Sequence, residues 1–437
     1  MIVALLLAAQ VAAPPPDTGV LSLAEAVRRA LANQPSVAAA RDSRAAAAAA
    51  VTEARAPFFP SVAASVSAHR YAIGNLVYPL SGIDIHNLPI FDRTLSQGAV
   101  SLGYTLWDFG GRASQVRLAQ AQVRKADAVL DASRAAMISR VADGYLAVLT
   151  DRGILGAEEK RLVALQAEAD RVAQMEAQGK AAHVDVLRLA AEVSRARADE
   201  TETRAQLDVA QRNLARLVSL PVDSVRSALA PVRLADTTVA DRADLVAGAQ
   251  ANSPEVLQAR RAADAAQAAV GAARSADFPQ LQLSAAYVEN GHQFTGYRPY
   301  WSAGLEIRYP LFTGFSRVAA VRRNEAGARA AAEQVRAAEQ ASEQSVDAAL
   351  ATVTAARATV AALQTAVEQS AEVERIQLLS VQVGSGTETD YLDAEATLLA
   401  NRASLVEAQN AEIAARVELA RVTGALTESW VASTLAQ

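Results

Sequence analysis

The chain repeats itself, and that repetition limits its possible folds more than any other feature. ANQPSVAAAR, from Ala32, returns as ANSPEVLQAR from Ala251. FFPSVAASVSAHRY, from Phe58, is echoed by DFPQLQLSAAYVEN from Asp277. YTLWDFGGR at Tyr104 comes back 205 positions later as YPLFTGFSR at Tyr309. Asp185 and Asp390 keep the same spacing of 205, as do LARLVSL at Leu214 and LARVTGA at Leu419. Pro60 and Pro279 lie 219 apart, so the first copy carries 14 additional residues, all between Pro60 and Tyr104. A register held over such distances marks one segment used twice, and the fold must build the same unit two times.

Each copy has one order of parts. An Ala-rich helix, about Leu23 to Pro57 or Arg242 to Asp277, closes at a Phe-Pro. Two alternating stretches follow, separated by a Gly/Pro/Asn-rich loop, and then a very long helical run. In the first copy that run extends from about Gly111 to Gln178, which at ~1.5 Å per residue predicts a helix of ~100 Å. A glycine break ends it: QGKAAHVD from Gln178, and VGSGTETD from Val383 in the second copy. A returning helix, about Val184 to Leu220 in the first copy, completes the hairpin. Val141, Val148, Leu155 and Leu162 recur every seven residues, and Val346, Val353, Val360 and Val367 repeat them in the second copy. A seven-residue apolar step keeps one seam facing a partner helix and supercoils the pair. The spacing predicts a signal segment at 1–13, repeats at 14–220 and 241–426, a linker at 221–240 and a tail at 427–437.

The alternating stretches predict strands. Val62, Ala64, Val66 and Ala68 share one face, with Ser61, Ser65, Ser67 and His69 on the other. Val100, Leu102, Tyr104 and Leu106 form such a face, and so do Leu281, Leu283, Ala285 and Tyr287. Trp301, Ala303, Leu305 and Ile307 oppose Ser302, Gly304, Glu306 and Arg308. Strands of about ten residues with aromatics near their ends suit a barrel wall in lipid. A soluble sheet with one wet face has the same period. Four strands cannot close a barrel, however, and a sheet in lipid tolerates no open edge. Lipid-facing strands here therefore require several chains to share one barrel.

Composition removes other classes. Alanine dominates, and 5% aromatic residues is lean for an enzyme core but ordinary for long helices packed through small side chains. A net charge of −5 argues against a nucleic-acid surface. With no cysteine, disulfides, thiol catalysis and Cys-based metal sites are excluded. His69, His86, His183 and His292 lack metal-ligand spacing. No cofactor, nucleophile–base pair or phosphate loop in its proper context is legible, so an enzyme is not expected. MIVALLLAAQVAA reads as an export signal without basic residues at its start, ending at Val11-Ala12-Ala13. No later stretch is expected to supply the ~20 apolar residues of a spanning helix.

The order and duplication of these parts resemble the TolC family of outer-membrane efflux proteins, most specifically in VGSGTETDYLDAEATLLANRASLVEAQ, Val383 to Gln409. The paired strand-to-helix junctions and Phe-Pro pairs add to the likeness. The resemblance implies a mainly α fold with a β-barrel part: a homotrimer with four strands per protomer in a shared 12-stranded barrel, extended by helical columns as a periplasmic tunnel. It implies an outer-membrane exit duct for tripartite efflux or type I secretion. The partners would be a periplasmic adaptor and an inner-membrane pump of RND, ABC or MFS type, with no nucleic acid. Adaptor-contacting turns map onto Gly179 and Lys180, and onto Val383, Gly384, Ser385, Gly386 and Thr387. An acidic entrance gate maps onto Asp390 and Asp393, with Asp185 in the first turn. Asp390 and Asp185 can equally serve as first-turn acids that complement a helix dipole.

One departure stands out. An Arg that closes the family's best-known entrance corresponds to Gly386, and a Tyr in the same closure to Val381. Lys180 and Arg188 are close enough in sequence to substitute. A structural coiled-coil protein of the periplasm is the competing reading. It explains the heptads, but not the two-residue alternation or the loop between the first pair of strands, which would be extracellular in the duct. Cargo is not legible.

Overall fold

The computed structural model describes residues 20–78, 90–227, 229–235, 238–383 and 385–436. The signal segment at 1–13, most of the first inter-strand loop with His86, and Gly384 lie outside them. In chain order the elements are α1 (Leu23–Asn33), α2 (Pro35–Arg55), β1 (Ser61–Leu76), β2 (Phe91–Trp107), α3 (Gly111–Ala177) and α4 (His183–Val218). Then come α5 (Val222–Ser227), β3 (Arg233–Leu234), α6 (Arg242–Asn252), α7 (Pro254–Ser275), β4 (Gln280–His292) and β5 (Thr295–Arg308). The last are α8 (Ser316–Gln382), α9 (Glu388–Val422), α10 (Glu428–Thr434) and β6 (Leu435–Ala436). Two compact units result: residues 41–129 with 258–337, and the rest of the chain. Both units draw on both repeats.

The first unit holds a four-stranded antiparallel sheet in the order β1-β2-β4-β5. The register joins the four predicted apolar faces into one. Val62 faces Leu102, Leu102 faces Ala285, and Ala285 faces Ala303. In the next row Ala64, Val100, Tyr287 and Trp301 line up likewise. This face is bare: Val66 is 90% exposed, Trp301 74% and Ile307 74%. The strands run to 13–17 residues, longer than the sequence suggests. β4 and β5 join through Gln293 and Phe294, both at positive φ (48° and 63°), as a two-residue hairpin of matching twist demands. Where strands meet helices, Phe109 stacks on Phe278 with ring centres 5.9 Å apart, and Trp107 meets Phe109 edge-on at 6.0 Å. The Arg112 guanidinium lies 4.8 Å from the centre of the Phe58 ring.

The expected first helix of each repeat is two helices, α1 with α2 and α6 with α7. Gln34 (ψ 129°) and Ser253 (ψ 131°) are extended because each precedes a proline, whose ring disfavours helical geometry in the residue before it. Pro35 and Pro254 then open α2 and α7, where a missing N–H costs nothing. The Gln34 side-chain amide donates to the carbonyls of Arg216 (2.7 Å) and Leu217 (2.6 Å), satisfying the end of α4.

The heptad seams lie where the seven-residue step predicts. Val141 and Val148 are fully buried with Ile138, Leu214 and Val218. Val346 and Val353 are buried with Ala249, Ala415 and Leu419 in the second-repeat counterpart. Tyr145 places a large polar side chain in the first core; its hydroxyl donates within 2.8 Å of the carbonyl oxygens of both Leu21 and Ala230. The stretch read as a linker carries α5 and β3, and β3 pairs with β6 (Leu234 with Leu435).

One expectation is corrected. α8 contains an 18-residue window with no more than two charged residues, apolar enough by length and composition to cross a membrane. Its apolarity comes from Ala and Val, of which Val346 and Val353 lie in the seam just described although only 22% of the window is buried, and summing hydropathy does not separate a helix seam from a lipid-facing stripe.

Candidate functional site at the hairpin turns

Each glycine break is a tight helical hairpin. After α3, Gly179 takes φ +70°, the left-handed geometry that ends helices without a Cβ penalty. The Gly179 N–H donates to the Glu176 carbonyl (2.7 Å) and the Lys180 N–H to the Met175 carbonyl (2.8 Å), which satisfies these two acceptors in the last turn of α3. His183 Nδ1 approaches Glu176 Oε1 at 2.7 Å across the turn. Lys180 Nζ donates to Gln178 Oε1 at 2.9 Å. Asp185 sits in the first turn of α4, its carboxylate 3.9 Å from the Arg188 guanidinium.

The second turn solves the same problem differently. The N–H groups of Ser385 and Gly386 both donate to the Ser380 carbonyl, at 2.9 and 3.0 Å. A Cβ on Gly386 would stand 2.7 Å from the Ser380 Cβ, so this turn has no room for the family Arg without moving. Thr387 caps α9: its Oγ1 accepts from the Asp390 N–H at 3.2 Å and its hydroxyl donates to Asp390 Oδ2 at 2.6 Å. Val383 is exposed.

Asp390 and Asp393 border one groove of about 470 Å³ between α8 and α9, with Gln369, Gln377, Thr397 and Asn401. Asp185 is not part of its lining. Nearby, hydrogen bonding from the Arg375 guanidinium holds the Glu372 carboxyl below its ordinary range. One acid escaped the sequence reading. Glu168, 4% exposed, is held by Arg171 through two contacts of 2.6 and 2.7 Å, beside a groove that also includes Leu392 and Glu395 of α9. Its only trace in the sequence is an ordinary i,i+3 charge pair.

Long helical hairpins, together with an unclosed sheet that is bare and apolar on one face, define the class: a subunit of a helix-extended outer-membrane channel. The chain belongs to the outer membrane efflux protein family, whose sequence profile matches residues 26–219 and 245–425. The resemblance read from the motifs is thus correct, and so is the outer-membrane location. Protein CyaE of Bordetella pertussis is 30% identical over 316 residues, which is 70% of this chain and 63% of CyaE, so the match spans less than two thirds of that relative. A membrane protein from Pseudomonas aeruginosa shares the fold with a TM-score of 0.77 at 23% identity, covering 93% of this chain and 91% of the other. The CmeC outer membrane channel of Campylobacter jejuni does so at 0.77 and 14% identity, over 93% and 86%.

Proposed function

We propose that the chain is one subunit of a trimeric exit duct, passing substrates from an inner-membrane pump across the periplasm and outer membrane. The sheet carries this reading: an exposed apolar face with two unpaired edges is stable in lipid only when copies of the chain close it. The repeats at 14–220 and 241–426 would each supply one hairpin of the tunnel wall. The turns at Gly179 and Lys180 and at Val383 to Thr387 would meet a periplasmic adaptor. Behind it would stand an energised pump of RND, ABC or MFS type.

The acids would work as a gate filter. Carboxylates of Asp390 and Asp393 from three copies around a narrow entrance would concentrate cations, with Asp185 contributing from the first turn. The shared groove of Asp390 and Asp393 supports this reading, while Asp390 Oδ2 also accepts from the Thr387 hydroxyl that caps α9. The deciding experiment is the mass of the assembly extracted in mild detergent without boiling, with conductance in planar bilayers. A conducting trimer is expected. A monomer or dimer released without detergent would leave a periplasmic coiled coil instead.

A further inference from the structure

Among the described residues the sheet's two unpaired edge strands are β1 and β5, and the duplication bears on how they would meet in an assembly. The hairpins β1–β2 and β4–β5 share one register. Ser61 faces Gly103, and their counterparts 219 and 205 positions on, Gln280 and Arg308, face each other. Arg70 and Thr94 map in the same way onto Glu289 and Pro299. Residue equivalence between the repeats is therefore fixed through both hairpins. The chain also contains one junction between repeats, β2 with β4, where Leu102 faces Ala285 and Ser101 faces Ala286.

Resting on the trimeric reading, we propose that β5 of one subunit pairs with β1 of the next in the register that β2–β4 sets within the chain. Ile307 then faces Val66 of the partner subunit, and Glu306 faces the partner's Ser67. Leu305 faces the partner's Ala68, and Gly304 the partner's His69. Two observations favour this alignment beyond the arithmetic. Val66 and Ile307, 90% and 74% exposed, meet on the apolar face. A Cβ on Gly304 would touch nothing within 4 Å, so the space beside it is open to an imidazole, where the internal junction pairs Ala99 with Val288. A one-residue slip would turn Ile307 toward the polar face. A two-residue slip preserves the faces, so the test must resolve two residues.

The absence of cysteine makes that test clean. V66C with I307C and S67C with E306C are adjacent rungs, so one of them is a non-hydrogen-bonded pair with Cα atoms ~4.5 Å apart, within disulfide reach. A64C with I307C and A68C with I307C report slips of two residues. Oxidation in membranes followed by denaturing electrophoresis should link one of the first two pairs into covalent trimers at least tenfold faster than either slipped pair. Faster linking of a slipped pair, in protein that is still trimeric in mild detergent, overturns the register and leaves the trimer standing. A cysteine-free parent that is not trimeric overturns the reading beneath it. If the double variants fail to assemble, co-expressed single variants, V66C with I307C and S67C with E306C, give the same readout as cross-linked dimers from one of the two mixtures. Trimers that form no such dimers count against the register.

Discussion

Gly424→Ala should destabilise the protein through one close approach. Gly424 caps the end of α9 at φ +74°, and a Cβ there would lie 2.1 Å from the Asn252 carbonyl oxygen and 2.4 Å from its carbon. Its counterpart 205 positions earlier, Ser219, holds the same left-handed geometry at φ +55° with a side chain exposed to solvent. The backbone conformation therefore tolerates a Cβ, and the difference between the sites lies in the end of α6. An alanine at positive φ costs ~1 kcal/mol, offset by ~0.5–1 kcal/mol because glycine is freer in the unfolded chain. Driving the Asn252 carbonyl away adds the ~1–3 kcal/mol of an overpacked site. The net loss is ~1–3.5 kcal/mol, whereas Ser219→Ala should stay within ~0.5 kcal/mol. Guanidinium unfolding of the detergent-solubilised protein, followed by circular dichroism, should separate the two variants clearly. Equal losses at Gly424 and Ser219 would refute the close approach.

The remaining predictions address the gate, the core and acid sensitivity. Asp390→Asn with Asp393→Asn should lower cation preference in bilayer recordings several-fold without loss of trimer; unchanged selectivity would remove these acids from the gate. Tyr145→Phe deletes the hydroxyl that meets Leu21 and Ala230 and should cost ~1–2 kcal/mol in the same unfolding assay, with a cost near zero excluding that anchor. Desolvation pushes Glu255 up, but hydrogen bonds from Ser253 and Arg421 outweigh it and hold the carboxyl below its ordinary value. A depressed folded value gives stability that is present above the ordinary carboxylate range and lost as pH falls through the folded value. Glu255→Gln should therefore flatten the stability–pH curve below about pH 4.5. A curve of unchanged slope would assign the acid loss elsewhere.

What the sequence discloses follows from how local each determinant is. The strands are legible because a two-residue period survives any context, and every predicted face lands on one side of one sheet. The 67-residue helix α3 matches the expected run nearly to the residue because Gly179 ends it by local backbone geometry, and α8, also of 67 residues, stops at the second expected break. The breaks at Gln34 and Ser253 are also local, written in the prolines that follow, but the alanine-rich runs on either side obscure them. The second turn is legible only in part. Thr387 and Asp390 have the spacing of an N-cap pair, whereas the need for glycine at 386 comes from how closely the backbone returns to Ser380. That approach has no signature in composition or period.

The two hydrophobic patterns in this chain are satisfied at different levels, and this separates fold from assembly. Val141, Val148, Val346 and Val353 disappear into seams within the single chain, so this part of the helical pattern closes on itself, while Val163, Leu187 and Leu379 nearer the turns stay exposed. Val66, Trp301, Leu305 and Ile307 stay bare, and every residue of β5 remains exposed. An apolar face of that kind on a soluble monomer would invite aggregation, with free edges as templates for pairing. In lipid the face is solvated by acyl chains, while the edges keep a full row of unpaired N–H and C=O groups that hydrocarbon cannot serve. The membrane thus removes the penalty of the face and raises that of the edges. Lipid alone cannot complete the fold. What remains unsatisfied after insertion is backbone, and only another strand can meet that need, which in the proposed trimer comes from a neighbouring copy of the chain.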